Sequence, residues 1–223
     1  MSFDFISQNF GMLLDGTLET LYMTFASTLF AYLIGLPMGV LVVTSKPTGI
    51  HPNAPLNAVL GFIINIGRSI PFVILMIALV PFTRAIVGKI IGPTAAIVPL
   101  VVAAAPFVAR LVESSLEELD TGLVEAAKTM GATNWQIVSH VFLPETIPSL
   151  IRGFSITTIT LIGYSAMAGA LGGGGLGDIA IRYGYHRYEY DIMLVTIIIL
   201  VVIVQLIQWA FNLAAKVIDK RNR

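Results

Sequence analysis

The chain has 223 residues, 56% hydrophobic and 12% charged, with 13 basic residues against 13 acidic ones and a mean hydropathy of +0.86. A soluble domain carries about 25% charged residues, so this composition excludes a soluble globule. The balanced charge leaves no basic excess for nucleic acid, and the lack of Cys excludes disulfides, thiolate metal sites and a Cys nucleophile.

Long uncharged stretches at 20–45, 90–109, 153–177 and 192–215 match the roughly 20 apolar residues needed to cross a bilayer core of about 30 Å. We read an all-α integral membrane protein with five transmembrane helices, their cores near 20–43, 65–82, 90–109, 154–170 and 192–213. The opening Met1-Ser2-Phe3-Asp4 has no basic n-region, so the first span is expected to serve as its own targeting signal. Span two carries Asn57, Asn65 and Arg68 and has Pro71 near its start, which predicts a discontinuous or kinked helix, because Pro removes a backbone donor. Arg68 admits two readings: a functional charge inside a span, or a snorkelling residue at the cytoplasmic boundary if the span opens near Asn65. Span three, with Pro93, Pro99 and Pro106, is expected to bend.

Alternate connections differ in basic content. One set holds Lys46, Arg110, Lys128, Arg152, Lys216, Lys220, Arg221 and Arg223; the other holds Arg84, Lys89, Arg182 and Arg187. The excess of basic residues marks the cytoplasmic side, which places the C-terminus inside, the N-terminus outside and the 110–152 connection in the cytoplasm. We divide the chain into an external tail (1–16), a transmembrane domain (17–209, with its cytoplasmic loop at about 113–150) and a cytoplasmic tail (210–223).

That loop reads as a helical hairpin between spans three and four. Thr121 is placed to cap a helix through Met130, with Leu123, Ala126, Ala127 and Met130 on one side. Gly131 stands where a helix ends in the left-handed conformation. Thr133 and Gln136 make a capping-box pattern that opens a second helix to Phe142, and Pro144 is expected to stop it. A structural connection packed on the bundle is the alternative. DNA reading is excluded, because Lys128 is the only basic residue between Glu113 and Arg152 apart from His140.

In span four, Ser165/Gly169 and Ala166/Ala170 are small residues four apart, a spacing that lets membrane helices approach closely. The same stretch suits a substrate pathway or gate, with Met167 as its long flexible side chain and Tyr164 and Ser165 beside it; for Met167 core filling stays open as the other reading. Gly172 through Gly177 fits G-x-G-x-x-G, but it follows a membrane span rather than a strand, so it does not signal a nucleotide. No Walker A pattern occurs, and energy must come from another chain. His51, His140 and His186 lie in three different loops and form no metal site. The external loop with Tyr183, Tyr185, Tyr188 and Tyr190 suits a membrane interface or a docking surface.

Glu125-Ala126-Ala127, Gly131 six residues after the Glu, and Leu143-Pro144 together resemble the EAA loop of binding-protein-dependent ABC transporter permeases. Val141 stands where that family has Ile. Arg68-Ser69-Ile70-Pro71-Phe72, the segment from Ala104 to Arg110, Gly163-Tyr164-Ser165-Ala166-Met167 and Gly174-Gly175-Leu176-Gly177 resemble the methionine-importer permeases within the family. The resemblance implies a multi-pass permease of a bacterial inner membrane that works as a homodimer. It implies coupling to a dimer of ABC ATPase subunits through Leu123, Glu125, Ala126, Ala127, Met130, Gly131, Leu143 and Pro144. ATP and Mg would bind in that ATPase, with no cofactor in this chain, and an external methionine-binding protein would deliver substrate. Translocation would proceed by alternating access between two copies.

Three other functions compete with this reading. A permease for another small amino acid or related solute differs only in the ligand. An intramembrane hydrolase using Ser165 needs a base within reach, and no His lies in a span. An ion-coupled carrier would normally hold several charges in its spans, where only Arg68 qualifies.

Overall fold

The computed structural model describes residues 3–218, and within them every regular element is a helix. The basic tail at Lys220, Arg221 and Arg223 lies outside the described residues. Among the described residues four helices are long and apolar enough to cross a membrane, five if a bent pair counts as one span. α1 (Phe3–Ser45) is far longer than the span expected at 20–43; its 43 residues reach about 64 Å at 1.5 Å per residue.

The second span is broken. α2 (Ala54–Ser69) is capped by Asn53, whose side chain accepts from the Leu56 amide. It ends at Ile70 in an extended conformation, where Pro71 supplies no N–H. α3 (Phe72–Ala78) then leaves at 103°, and α4 (Val80–Val87) ends on Gly88 in the left-handed region at φ 78°. The discontinuity was legible from Pro71, but the start was not: α2 opens eleven residues before Asn65. Arg68 therefore lies in the last turn of α2, beside the break.

α5 (Pro93–Glu117) keeps Arg110 inside the helix, so the following connection begins two turns later than expected. α6 (Thr121–Thr129), α7 (Asn134–Ile137), a π segment (Val138–Phe142) and α8 (Leu143–Ala170) follow. A Gly-rich turn leads to α9 (Gly175–Ile179), a second π segment (Ala180–Tyr185) and α10 (Tyr190–Ile218).

The centre of the bundle is the pairing of α1 with α5, and small residues make it close. A Cβ on Gly35 would lie 2.6 Å from the Ala105 carbonyl oxygen, and one on Gly39 would lie 2.6 Å from that of Ala109. Val108 and Val112 of α5 fill the space both glycines leave. The two glycines are four residues apart and so share one face of α1. This is the small-xxx-small solution to packing without a hydrophobic drive between helices. α8 packs against both partners, and α10 lies outside α8, with only its Ile192, Val195, Thr196 and Ala215 buried.

The glycine run is a docking turn for α1. Gly172, Gly174 and Gly175 have φ of 83°, 82° and 76°, a region that favours glycine. The Gly175 amide donates to Glu19 Oε2 at 2.7 Å and the Leu176 amide to Thr20 Oγ1 at 2.9 Å. Two amides at the start of α9 are thus satisfied by side chains of the first helix, which accounts for G-x-G-x-x-G without a nucleotide.

Candidate functional site

The hairpin is a built structure with a defined outer face. Asp120, not Thr121, is the N-cap of α6: its Oδ1 accepts from the Gly122 amide at 2.8 Å, because the carboxylate reaches back over the first turn. α6 ends in a Schellman motif. The Ala132 amide donates to the Ala127 carbonyl and the Gly131 amide to the Lys128 carbonyl, both at 3.0 Å, with Gly131 at φ 81°. The Thr133–Gln136 capping box forms as expected.

The ridge read from the sequence needs one correction. Leu123, Glu125, Ala126 and Met130 face outward, but Ala127 is only 5% exposed. It packs inward with Ile137 and Phe142 against Leu116 and Leu119, because it is the small residue on the face that seats the hairpin on the bundle. Trp135 was not singled out in the sequence. It lies in α7 at 76% exposure, on the same hairpin as Met130 at 81%. An exposed Trp and Met on one hairpin of fixed geometry make the apolar contact a partner needs.

Pro144 does not stop the second helix. α7, the π segment and α8 form one continuous helical rod over Asn134–Ala170. In the π segment the Leu143 amide pairs with the Val138 carbonyl, five residues back. This wider turn takes the Pro144 ring without the clash an α-helix would impose. Leu143 is half-buried and Pro144 exposed. The hairpin is therefore mechanically continuous with the fourth span.

The far part of the rod reaches the break in the second span. Tyr164 of α8 stacks on Phe72, the first residue of α3, with ring centroids 4.7 Å apart and 7° between planes. Beside the stack lies a cleft of about 220 Å³, lined by Arg68, Phe72, Phe107, Thr160, Leu161 and Tyr164 among others. Of the three pathway candidates only Tyr164 lines it. Ser165 is buried and donates to the Ile162 carbonyl at 2.8 Å, with no base beside it. Met167 is 48% exposed and lies away from the cleft.

A charged cluster that the sequence reading missed ties three helices together near the hairpin. Glu113, only 4% exposed, pairs with Lys46 at 2.8 Å and with Arg110. Lys46 also pairs with Glu117, and Arg110 donates to Asn65 Oδ1 of α2 at 2.9 Å. Burial acts to lower the Lys46 pKa, but hydrogen bonds and charge from Glu113 and Glu117 outweigh it and raise the group above its ordinary 10.5. The i,i+3 pair Arg110/Glu113 at the end of an apolar run was the available signal.

Among the described residues no group of His, Cys, Asp or Glu could hold a metal ion.

Residues 31–223 match the family model described as "Binding-protein-dependent transport system inner membrane component". A Vibrio cholerae protein named "Probable D-methionine transport system permease protein MetI" is 52% identical, covering 99% of this chain and all of the relative. An Escherichia coli K12 protein named "D-methionine transport system permease protein MetI" is 55% identical over 158 residues, 71% of this chain and 73% of that one. A solved chain from "Inward facing conformations of the MetNI methionine ABC transporter" superposes with a TM-score of 0.95 at 49% identity, covering 99% of this chain and 100% of that chain. A chain from an amino acid ABC transporter, at 21% identity and a TM-score of 0.75, shares the fold.

Proposed function

This chain belongs to the family of binding-protein-dependent transport system inner membrane components, and from that premise we propose that it is the translocating subunit of an ATP-driven methionine importer. The observation that carries the substrate is the similarity, end to end in both chains, to a permease of a methionine ABC transporter. The direction of transport, the docking of an ATPase dimer on the hairpins and delivery by an external methionine-binding protein belong to the same reading. So do a cytoplasmic hairpin and C-terminus, an outer N-terminus and the division into tails and a transmembrane domain. ATP and Mg reside in the ATPase.

The mechanism follows from the rod. Two copies of the chain enclose the passage. When the ATPase subunits close, their grooves carry the outward ridge of each hairpin, Leu123, Glu125, Ala126, Met130 and Trp135. Ala127, Gly131, Leu143 and Pro144 hold that ridge in shape. Because α7 continues into α8 without a joint, the displacement passes to Tyr164 and, through its stack, to Phe72 at the break in the second span. A broken span is the compliant element of such a bundle, since Pro71 has already removed the hydrogen bond that would resist bending. The passage alternates as α3 and α4 shift against the α1–α5 pair.

The test is uptake of labelled methionine into proteoliposomes holding this chain and its ATPase, with the binding protein and ATP on their proper sides. ATP-dependent uptake, competed only by methionine-like compounds and abolished by Glu125→Lys, is the expected result. ATP-dependent uptake of a different solute would retain the permease and discard methionine. An ATPase that fails to co-purify with the chain, together with no uptake, would overturn the reading entirely.

A further inference from the structure

We propose that the Arg68 cleft binds the backbone of a free α-amino acid, its guanidinium holding the carboxylate while oxygen atoms of the cleft take the ammonium. The proposal rests on the reading that the chain translocates an amino acid, and it assigns that substrate a place and an orientation.

The first observation is an unmatched charge. Arg68 lies in the last turn of α2, beside the break in an apolar broken span, and its side chain is exposed in the single chain. An intramembrane Arg pairs with an acid or with backbone carbonyls, or serves function. Arg110 and Lys46 share Glu113, but the Arg68 side chain forms no ion pair or hydrogen bond with any described residue. It lines the cleft instead. The planar fork of a guanidinium matches a carboxylate with two parallel bonds.

The second observation is the set of acceptors opposite. Thr160 lines the same cleft, and its hydroxyl already donates to the Ile156 carbonyl at 2.9 Å. Its remaining lone pair can only accept. Gly67 also lines the cleft. Pro71 has no N–H to offer the Gly67 carbonyl, which an unbroken helix would have paired with it. The carbonyl end of α2 carries partial negative charge besides. One cation and two acceptors around a small cleft suit a zwitterion, whereas a simple anion would leave the acceptors unused.

The third is size and lining. At about 220 Å³ the cleft is below the ~300 Å³ at which pockets for drug-sized ligands begin, a size that suits one amino acid. Phe107 and Leu161 form its apolar wall, the surface an uncharged apolar side chain requires.

A lipid phosphate could supply the same anion, and the experiment separates the two sources. The chain, co-reconstituted with its ATPase in nanodiscs, is irradiated with photo-methionine, a diazirine amino acid that keeps the zwitterion, and labelled peptides are mapped by mass spectrometry. Labelling around Phe107, Thr160 and Tyr164 is expected, displaced by methionine at concentrations at least tenfold lower than by methioninol, which lacks the carboxylate. Arg68→Gln should cut labelling at least tenfold while the ATPase still co-purifies, and Arg68→Lys should restore part of it. Equal competition by methioninol in the unaltered chain overturns the proposal with no variant needed. It is equally overturned if Arg68→Gln loses labelling only in nanodiscs with anionic lipid and not in pure phosphatidylcholine, which would make Arg68 a lipid site. ATP-dependent methionine uptake by the unaltered chain, measured alongside, keeps a failure of this site distinct from a failure of the transport reading.

Discussion

Replacing Gly39 with Ala tests the closeness of the α1–α5 pairing. The added Cβ would stand 2.6 Å from the Ala109 carbonyl oxygen and 2.7 Å from Val112 Cβ, where ordinary contact begins at 3.4 Å. Neither neighbour is the free end of a flexible side chain, so the helices must separate by about 0.8 Å. A gap of about 0.5–1 Å forfeits a quarter to a half of each dispersion well along the seam, and overpacking of this kind costs about 1–3 kcal/mol. Gly35→Ala meets the same geometry one turn away, 2.6 Å from the Ala105 carbonyl oxygen. Once one substitution has moved the helices apart, the second finds room already made. The double variant should therefore lose clearly less than the sum of the two singles, a coupling of at least about 0.5 kcal/mol. The assay is reversible unfolding of the purified chain in mixed micelles, titrated with denaturing detergent and followed by circular dichroism. Additive losses, or single variants within about 0.3 kcal/mol of the parent, would refute the argument from close approach.

Trp135→Ala and Met130→Ala should each weaken ATPase binding by about 1–3 kcal/mol, or roughly 5- to 150-fold, in a pull-down titration that leaves the helix content unchanged; unaltered affinity would remove these side chains from the contact. Tyr164→Leu removes a stack worth about 0.5–1.5 kcal/mol and should uncouple the protein, so that ATP is hydrolysed with little uptake, while Tyr164→Phe keeps both. Glu113→Gln leaves Lys46 and Arg110 without their shared acid and should lower stability by about 1–2 kcal/mol, below the roughly 3–5 kcal/mol of a fully buried pair because both cations are partly exposed; an unchanged thermal midpoint would contradict the bridging role. The Lys46 pKa is raised by its partners, so above 10.5 the folded state holds more protons than the unfolded one and stability falls as pH rises. The contribution is complete below 10.5 and lost as pH climbs through the raised value, so Lys46→Met should flatten the alkaline limb of a thermal-midpoint profile and leave its slope from pH 6 to 9 unchanged.

The elements set by local chemistry were readable from the residues. Pro71 announced the break, Gly131 and the Thr133–Gln136 box announced the hairpin, and runs of uncharged residues marked the spans. What escaped depends on neighbours distant in the chain. Ala127 differs from Ala126 only in the side it faces, and nothing local shows that Leu116 and Leu119 stand behind it. Gly35 and Gly39 carry a G-x-x-x-G spacing that is visible in the sequence, but only the opposing α5 shows which helix they admit. Glu19 has no partner visible in the sequence, because the Gly175 amide it accepts from is 156 residues away. Pro144 reads as a stop because a Pro after a helical stretch ordinarily ends it. A π turn upstream reverses that rule, and no residue pattern marks such a turn.

The π turn at Val138–Phe142 also takes up one residue of phase, since it closes a full turn with one residue more than an α turn. Deleting a single residue there would convert the wide turn into plain α-helix and leave the hairpin at nearly the same angle around the rod. The same deletion in the plain α-helix of α8 would rotate the hairpin by about 100°, the angle one residue subtends in an α-helix. This short segment is therefore the place in the rod where a change of length by one residue leaves the aim of the hairpin intact.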